Sequence, residues 1–306
     1  MIETSVRLMP FRLINAAMVI LLSFAAVGAQ EQPATPWAAD AGSRYWVQPD
    51  IVYHVANNHS LKLDVWYQHA VKTPSPTLVY IHGGGWVFGI KEGSILHFLP
   101  FLEMGWTVVN VEYRMASSAL APAAVEDTRC ALRWVFRNAQ ERRFDTSKIV
   151  LMGHSAGGHL SLITGMLPDG TSLDNRCYGN EKLSVAAVIN WFGITDVNDL
   201  LKGDNLKNYA VMWLGSQPNA EEIARRVSPL TYVRAGLPSI ITIHGDKDDV
   251  VPYSHARRLH EGLDKEKVPN QLFTITGGGH GGFSQADFVK SYEAIWKFLR
   301  QNKVIP

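Results

Sequence analysis

Ser155 stands in the run Gly153-His154-Ser155-Ala156-Gly157, directly after the apolar stretch Ile149–Met152. A serine hydroxyl is a weak nucleophile until a base takes its proton and donors receive the charge it creates. The spacing here is Gly-x-Ser-x-Gly between a short β-branched run and a helical stretch, Leu160 to Leu167, so a strand should feed a tight turn and then a helix. Side chains at 153 or 157 would collide with backbone folding past the turn. The helix that follows would aim its unsatisfied N–H groups and positive dipole end at charge forming beside Ser155.

Three other loops carry matching chemistry. His82-Gly83-Gly84-Gly85 follows the apolar run Thr77–Ile81, and consecutive glycines let the backbone approach a ligand closely. The amides of Gly84 and Gly85, joined by that of Ala156, are candidate oxyanion donors, each worth about 2.7–4 kcal/mol in acyl transfer. After Ser239–Ile243 come Asp246, Asp248 and Asp249. A carboxylate there can fix the tautomer of a histidine and stabilise its imidazolium. Asp248 is preferred, because the loop must first turn away from the strand; Asp246 and Asp249 suit local turn hydrogen bonds. After Gln271–Thr276, His280 sits among Gly277–Gly282, a setting suited to reaching across a cleft and to acting as general base. The other histidines have structural readings. There is no His-Glu-x-x-His, no paired-cysteine ligand set and no phosphate-loop spacing, so neither a metal nor a cofactor is implied. Trp86, Phe88, Trp191, Phe192 and Trp213 are core or pocket-wall residues. Trp191 and Phe192, read as lying just past a strand end, favour the wall, and Trp86 is carried with them as a substrate-binding candidate.

The elements that must hold these groups alternate. Ile51–Val55 and Leu61–Trp66 alternate in polarity around Asn57-Asn58, a hairpin signal. Apolar strands then follow at 77–81, 106–111, 149–152, 185–189, 239–243 and 271–276. Helical stretches at 122–139, 253–263 and 286–299 lie among them. That order specifies an α/β fold with a mostly parallel central sheet, helices on both faces and an N-terminal antiparallel hairpin. The stretch 191–232 is the least regular and reads as a small cap or a loop excursion over the site.

The bulk numbers bound the partners. With 29 Lys and Arg against 28 Asp and Glu, the formal net charge is +1. Nothing electrostatic favours nucleic acid or an anionic membrane surface. Arg7 and Arg12 precede an uncharged run from Leu13 to Val27, and Val27-Gly28-Ala29 offers a cleavage point. The run is shorter than the ~20 residues of a spanning helix. A secretory signal peptide over 1–29 is therefore expected, with secretion or periplasmic export and no stable membrane insertion after cleavage. Residues 30–50 read as a linker and lead-in, and 51–306 as one catalytic domain. Cys130 and Cys177 are the two cysteines; an oxidising compartment would let them pair, and the sequence leaves the pairing open.

The motifs together resemble a known family. Glu112-Tyr113-Arg114, the run Gly153–Leu160, Trp191-Phe192-Gly193, His244-Gly245-Asp246-Lys247-Asp248 and the His-Gly-Gly-Gly loop are similar to α/β-hydrolase esterases and lipases, closest to the bifunctional acetylxylan and feruloyl esterases. The resemblance implies the α/β-hydrolase fold and hydrolysis of carboxylic esters through an acyl-enzyme. It also implies the chain order Ser155, Asp248, His280 for the triad. Short acyl or aryl esters, including acetylated or feruloylated carbohydrates, are the substrates it suggests. An arylformamidase-type amide hydrolase and a non-catalytic hydrolase-fold binding protein are the alternatives. Oligomeric state is not legible.

Overall fold

The computed structural model describes residues 36–306. The signal-peptide expectation at 1–29 lies outside the described residues. Helix α1 (Pro36–Arg44) leads into strand β1 (Tyr45–Ala56), which turns at Asn57-Asn58 into β2 (His59–Gln68). Both turn residues take positive φ, 52° and 60°, the two-residue hairpin geometry that Asn tolerates. The strand begins ahead of residue 51, so part of the expected linker is structured. Tyr45 anchors it, its hydroxyl donating to the carbonyls of Leu102 and Trp106 at 2.8 and 3.0 Å.

The remaining elements follow in order. They are β3 (Ser75–Ile81), α2 (Leu99–Glu103), β4 (Thr107–Val111), α3 (Ala123–Arg137), α4 (Ala139–Arg142), β5 (Phe144–His154) and α5 (Ala156–Met166). Next come β6 (Ala187–Trp191), α6 (Asn208–Leu214), α7 (Ala220–Arg226), β7 (Ser239–Gly245), α8 (Ser254–Lys265), β8 (Asn270–Ile275) and α9 (Gln285–Gln301). The sheet has eight strands in the order β1-β2-β4-β3-β5-β6-β7-β8. Strands β4 to β8 along that order run parallel, and β1 and β2 are antiparallel at one edge.

The central strands are apolar on both faces because each face has its own core. Val79 and Ile81 point into one core with Leu132, Leu162 and Leu259, from α3, α5 and α8. Leu78 and Tyr80 point into the other with Phe101 and Phe298, from α2 and α9. Side chains alternate with period two, so one strand feeds both layers. From β3 the chain moves outward to β4, then returns to lay β5 on the other side of β3. Loops leaving β3 and β5 therefore diverge, opening a crevice at their carboxyl ends.

Helix α3 is clamped to the 167–186 loop. Cys130 and Cys177 are disulfide-bonded, settling the question the sequence left open. Beside them the buried Arg129 gives Nε and Nη2 to the two oxygens of Asp174, both at 2.6 Å. Among the described residues no helix is long and apolar enough to cross a membrane.

Candidate active site

Ser155 is the junction of β5 and α5, with φ 55° and ψ −120°. A non-glycine residue there is strained and must be held by its surroundings. Its amide donates to the Trp191 carbonyl at 2.8 Å, tying the turn to β6. The flanking glycines leave no room for anything larger. A methyl on Gly153 would lie 2.4 Å from the Gly157 carbonyl, and one on Gly157 would lie 2.1 Å from the Ile81 carbonyl oxygen.

Three side chains expected to converge do so. His280 Nε2 lies 2.9 Å from Ser155 Oγ, and His280 Nδ1 lies 2.8 Å from Asp248 Oδ2. A carboxylate can only accept, so Nδ1 carries the proton, and Nε2 is left to accept from the serine hydroxyl. Asp248 is held on every side. Its Oδ1 accepts from the amides of Val250 and Val251 at 2.9 and 2.8 Å, and its Oδ2 also faces His244 Nε2 at 3.2 Å. Burial alone would raise its pKa, but the hydrogen bonds from His244 and His280 outweigh burial and hold it well below the ordinary carboxylate range.

The acid loop and the histidine loop are zipped together. Lys247 donates its amide to the Gly278 carbonyl at 2.9 Å, and Asp246 Oδ1 accepts from the Gly277 amide at 2.7 Å. Asp246 thus does more than turn its own loop: it fixes the base of the loop that presents His280. A methyl on Gly245 would lie 2.2 Å from the Gly278 carbonyl oxygen, so the close approach requires glycine.

On the opposite wall, Gly84 takes φ 120° and Gly85 φ 58°. The Gly84 carbonyl is occupied, accepting from the amides of Val87 and Phe88 at 3.1 and 3.0 Å. Among the described residues the Gly84 and Gly85 amides have no acceptor. The amide of Ala156, first residue of α5, is one of the N–H groups a helix cannot satisfy internally. Gly83 brings this loop against the serine: a methyl there would lie 3.6 Å from Ser155 Cβ. His82 pins the loop from behind. It stacks on Tyr113 at 4.5 Å and donates Nδ1–H to the Gly83 carbonyl at 2.8 Å. Burial lowers its pKa to about 4, so it is a neutral structural group.

The aromatic candidates divide. Trp86 is fully buried, stacked on Trp213 at 4.1 Å with its indole N–H on His159 Nδ1 at 3.1 Å. Trp191 is also fully buried; it is the last residue of β6 and stacks on His154 at 5.0 Å. Neither can touch substrate in this arrangement, which corrects the expectation that both line the pocket. Phe192 remains at the site, its ring centroid 4.7 Å from that of His280. Phe88 is 68% exposed on the outer lip of the glycine loop. Tyr209 carries no sequence signal of its own, its part being set by its approach to Gly85 across the fold; His244, in the His244–Asp248 motif, faces Asp248 four residues on. Among the described residues no three His, Cys, Asp or Glu side chains gather to hold a metal ion.

This geometry can remove a proton from a hydroxyl, steady the resulting imidazolium and receive an oxyanion. Comparison with known proteins agrees in kind. Residues 63–263 match the family model described as BD-FAE. Esterase LipC of Mycobacterium tuberculosis is 29% identical over 251 residues, 78% of this chain and 62% of the relative. Esterase LipQ of the same organism is 25% identical, covering 84% and 63%. The chain therefore spans about three fifths of the length of these curated relatives. Among solved structures, a truncated carbohydrate esterase from gut microbiota superposes with a TM-score of 0.70 at 25% identity, over 84% of this chain and 96% of that one. The propionate-bound esterase Est2 of Thermogutta terrifontis gives 0.71 at 28%, over 83% and 94%. The fold is the α/β-hydrolase fold.

Proposed function

Since the chain belongs to the BD-FAE family, we propose that it hydrolyses carboxylic esters through an acyl-enzyme on Ser155. The observation that carries this reading is the unbroken line from Ser155 Oγ through His280 to Asp248 Oδ2, with gaps of 2.9 and 2.8 Å. His280 takes the hydroxyl proton as Ser155 attacks the ester carbonyl, and the amides of Gly84, Gly85 and Ala156 receive the oxyanion. His280⁺ then returns the proton to the leaving alkoxide. Water deprotonated by His280 next attacks the acyl-enzyme, and His280⁺ gives that proton to the departing Ser155 Oγ as the carboxylic acid leaves.

Short acyl and aryl esters are the substrates we assign, with acetylated or feruloylated carbohydrates among them. The sequence motifs support this, as does the likeness to a structure described as a carbohydrate esterase and to an esterase holding propionate. We also assign export. The charged-then-apolar N-terminus supports it, and so does the disulfide, which persists in oxidising compartments. A panel of p-nitrophenyl esters of increasing acyl length, acetylated xylan, methyl ferulate and an N-formyl anilide tests the assignment. Esters should turn over and the anilide should not. Ser155→Ala should lower kcat by about 10⁴-fold or more on every ester. Faster turnover of the anilide would transfer the reading to amide hydrolysis.

A further inference from the structure

The segment after β6 touches two catalytic loops at once through a single side chain. Tyr209, in α6, lies under the glycine loop: a methyl on Gly85 would sit 3.0 Å from Tyr209 Cβ and 3.1 Å from its Cγ. The phenol reaches the other way and donates to the Val250 carbonyl at 3.1 Å. Val250 is also the residue whose amide donates to Asp248 Oδ1 at 2.9 Å. Its neighbour Asp249 accepts at its carbonyl from Lys207 Nζ at 2.6 Å. Helix α6 is itself fixed, with Trp213 stacked on Trp86 and the Trp213 carbonyl accepting from the Ala121 amide at 2.9 Å.

We propose that Tyr209 is a positioning residue that braces the Gly84–Gly85 loop against the Asp248 loop, keeping the oxyanion donors and the acid–base pair at a fixed spacing. The inference rests on the serine reading given above. The contacts form a closed circuit. It runs from Gly85 to Tyr209, Val250, Asp248, His280 and Ser155, then back through Gly83, where a methyl would lie 3.6 Å from Ser155 Cβ. Tyrosine suits the task because it joins a rigid apolar body to one polar tip. Burial, and then the nearby Asp248 charge, push its phenol above the ordinary range, so it remains a neutral donor. In this account the segment is a fixed strut, and the site is formed before substrate arrives. Displacing catalytic groups by about 1 Å is worth about 100-fold in rate.

The test compares full-length wild type with Tyr209→Phe and Tyr209→Ala on p-nitrophenyl acetate, alongside fluorophosphonate labelling of Ser155. Phe keeps the ring beneath Gly85 and loses the bond to Val250. It should lower kcat about fivefold with KM within about twofold, the rate equivalent of one hydrogen bond. Ala also removes the ring, and should lower kcat about 100-fold. An unchanged melting temperature for Tyr209→Phe separates positioning from lost stability, and this variant keeps the test decisive if Tyr209→Ala does not fold. Wild-type kcat in Tyr209→Phe overturns the brace. So does a raised KM at constant kcat, which would make Tyr209 a substrate contact. An unlabelled wild-type Ser155 would bring down the serine reading and the brace with it, a result distinct from a labelled wild type with indifferent variants.

Discussion

Two of the buried carboxylates, Asp127 and Asp248, have partners that separate their work. Asp127, in α3, is closed off by Arg114: guanidinium nitrogens stand 2.6 and 2.8 Å from its oxygens, and the Arg114 amide adds a third donor at 2.8 Å. A guanidinium never gives up its proton at working pH, so that charge is permanently neutralised. Asp248 meets backbone amides and two histidine rings, and among the described residues has no Lys or Arg partner. Its charge is held in place yet left uncompensated until His280 takes a proton. What would suit a buried acid to the proposed catalysis is a partner whose charge can change.

That contrast can be broken by exchanging acids for amides. Asp248→Asn should lower kcat about 10⁴-fold in folded protein, since a donor at the Oδ2 position forces His280 into the wrong tautomer. Steady-state kinetics beside a thermal melt would show it. The α3 region should answer in stability instead. Replacing Cys130 and Cys177 by Ala frees a loop closed across 47 residues, which costs up to about 4 kcal/mol on chain entropy. Urea unfolding should record that loss while kcat of the folded enzyme holds. Asp127→Asn leaves the buried Arg114 guanidinium with the more distant Glu126 carboxylate, at 3.5 Å, and should cost about 3 kcal/mol, again with kcat retained. An Asp127→Asn enzyme fully folded but inactive would erase the distinction between the two acids.

A smaller effect lies in pH. The folded pKa of Asp248 is below its unfolded value of about 3.9, so the unfolded chain binds that proton first. Its stabilisation is therefore complete above the unfolded pKa and is lost as pH falls through the folded one. The stability gap between wild type and Asp248→Asn should hold from neutrality to about pH 4, then shrink below it. A gap that closed already between pH 6 and 5 would contradict the depressed pKa.

Local rules made much of this visible beforehand. The Asn57-Asn58 turn and the Gly153 and Gly157 positions follow from backbone sterics within a few residues, and the structure has both. The apolar strands feed two cores, as uninterrupted hydrophobicity indicated. What failed depended on distant partners. Trp86 and Trp191 look like pocket walls beside reactive loops, but their fate is decided by Trp213 and His154. Strand β1 starts at Tyr45, inside the expected lead-in, and Tyr45 bonds the carbonyls of Leu102 and Trp106, which no local pattern announces. Choosing Asp248 over Asp246 rested on loop direction; both acids turn out to be engaged, one on His280 and one on the Gly277 amide. Within the 191–232 stretch, Lys207 and Tyr209 find their partners at the carbonyls of Asp249 and Val250, which nothing in the neighbouring sequence announces.

The most direct test of the central claim is mass-spectrometric mapping of a fluorophosphonate adduct on the folded protein. A single adduct on Ser155 is expected, absent from Ser155→Ala and formed at least about 100-fold more slowly in His280→Ala. No adduct on wild type, or equal labelling with and without the imidazole, would contradict the account.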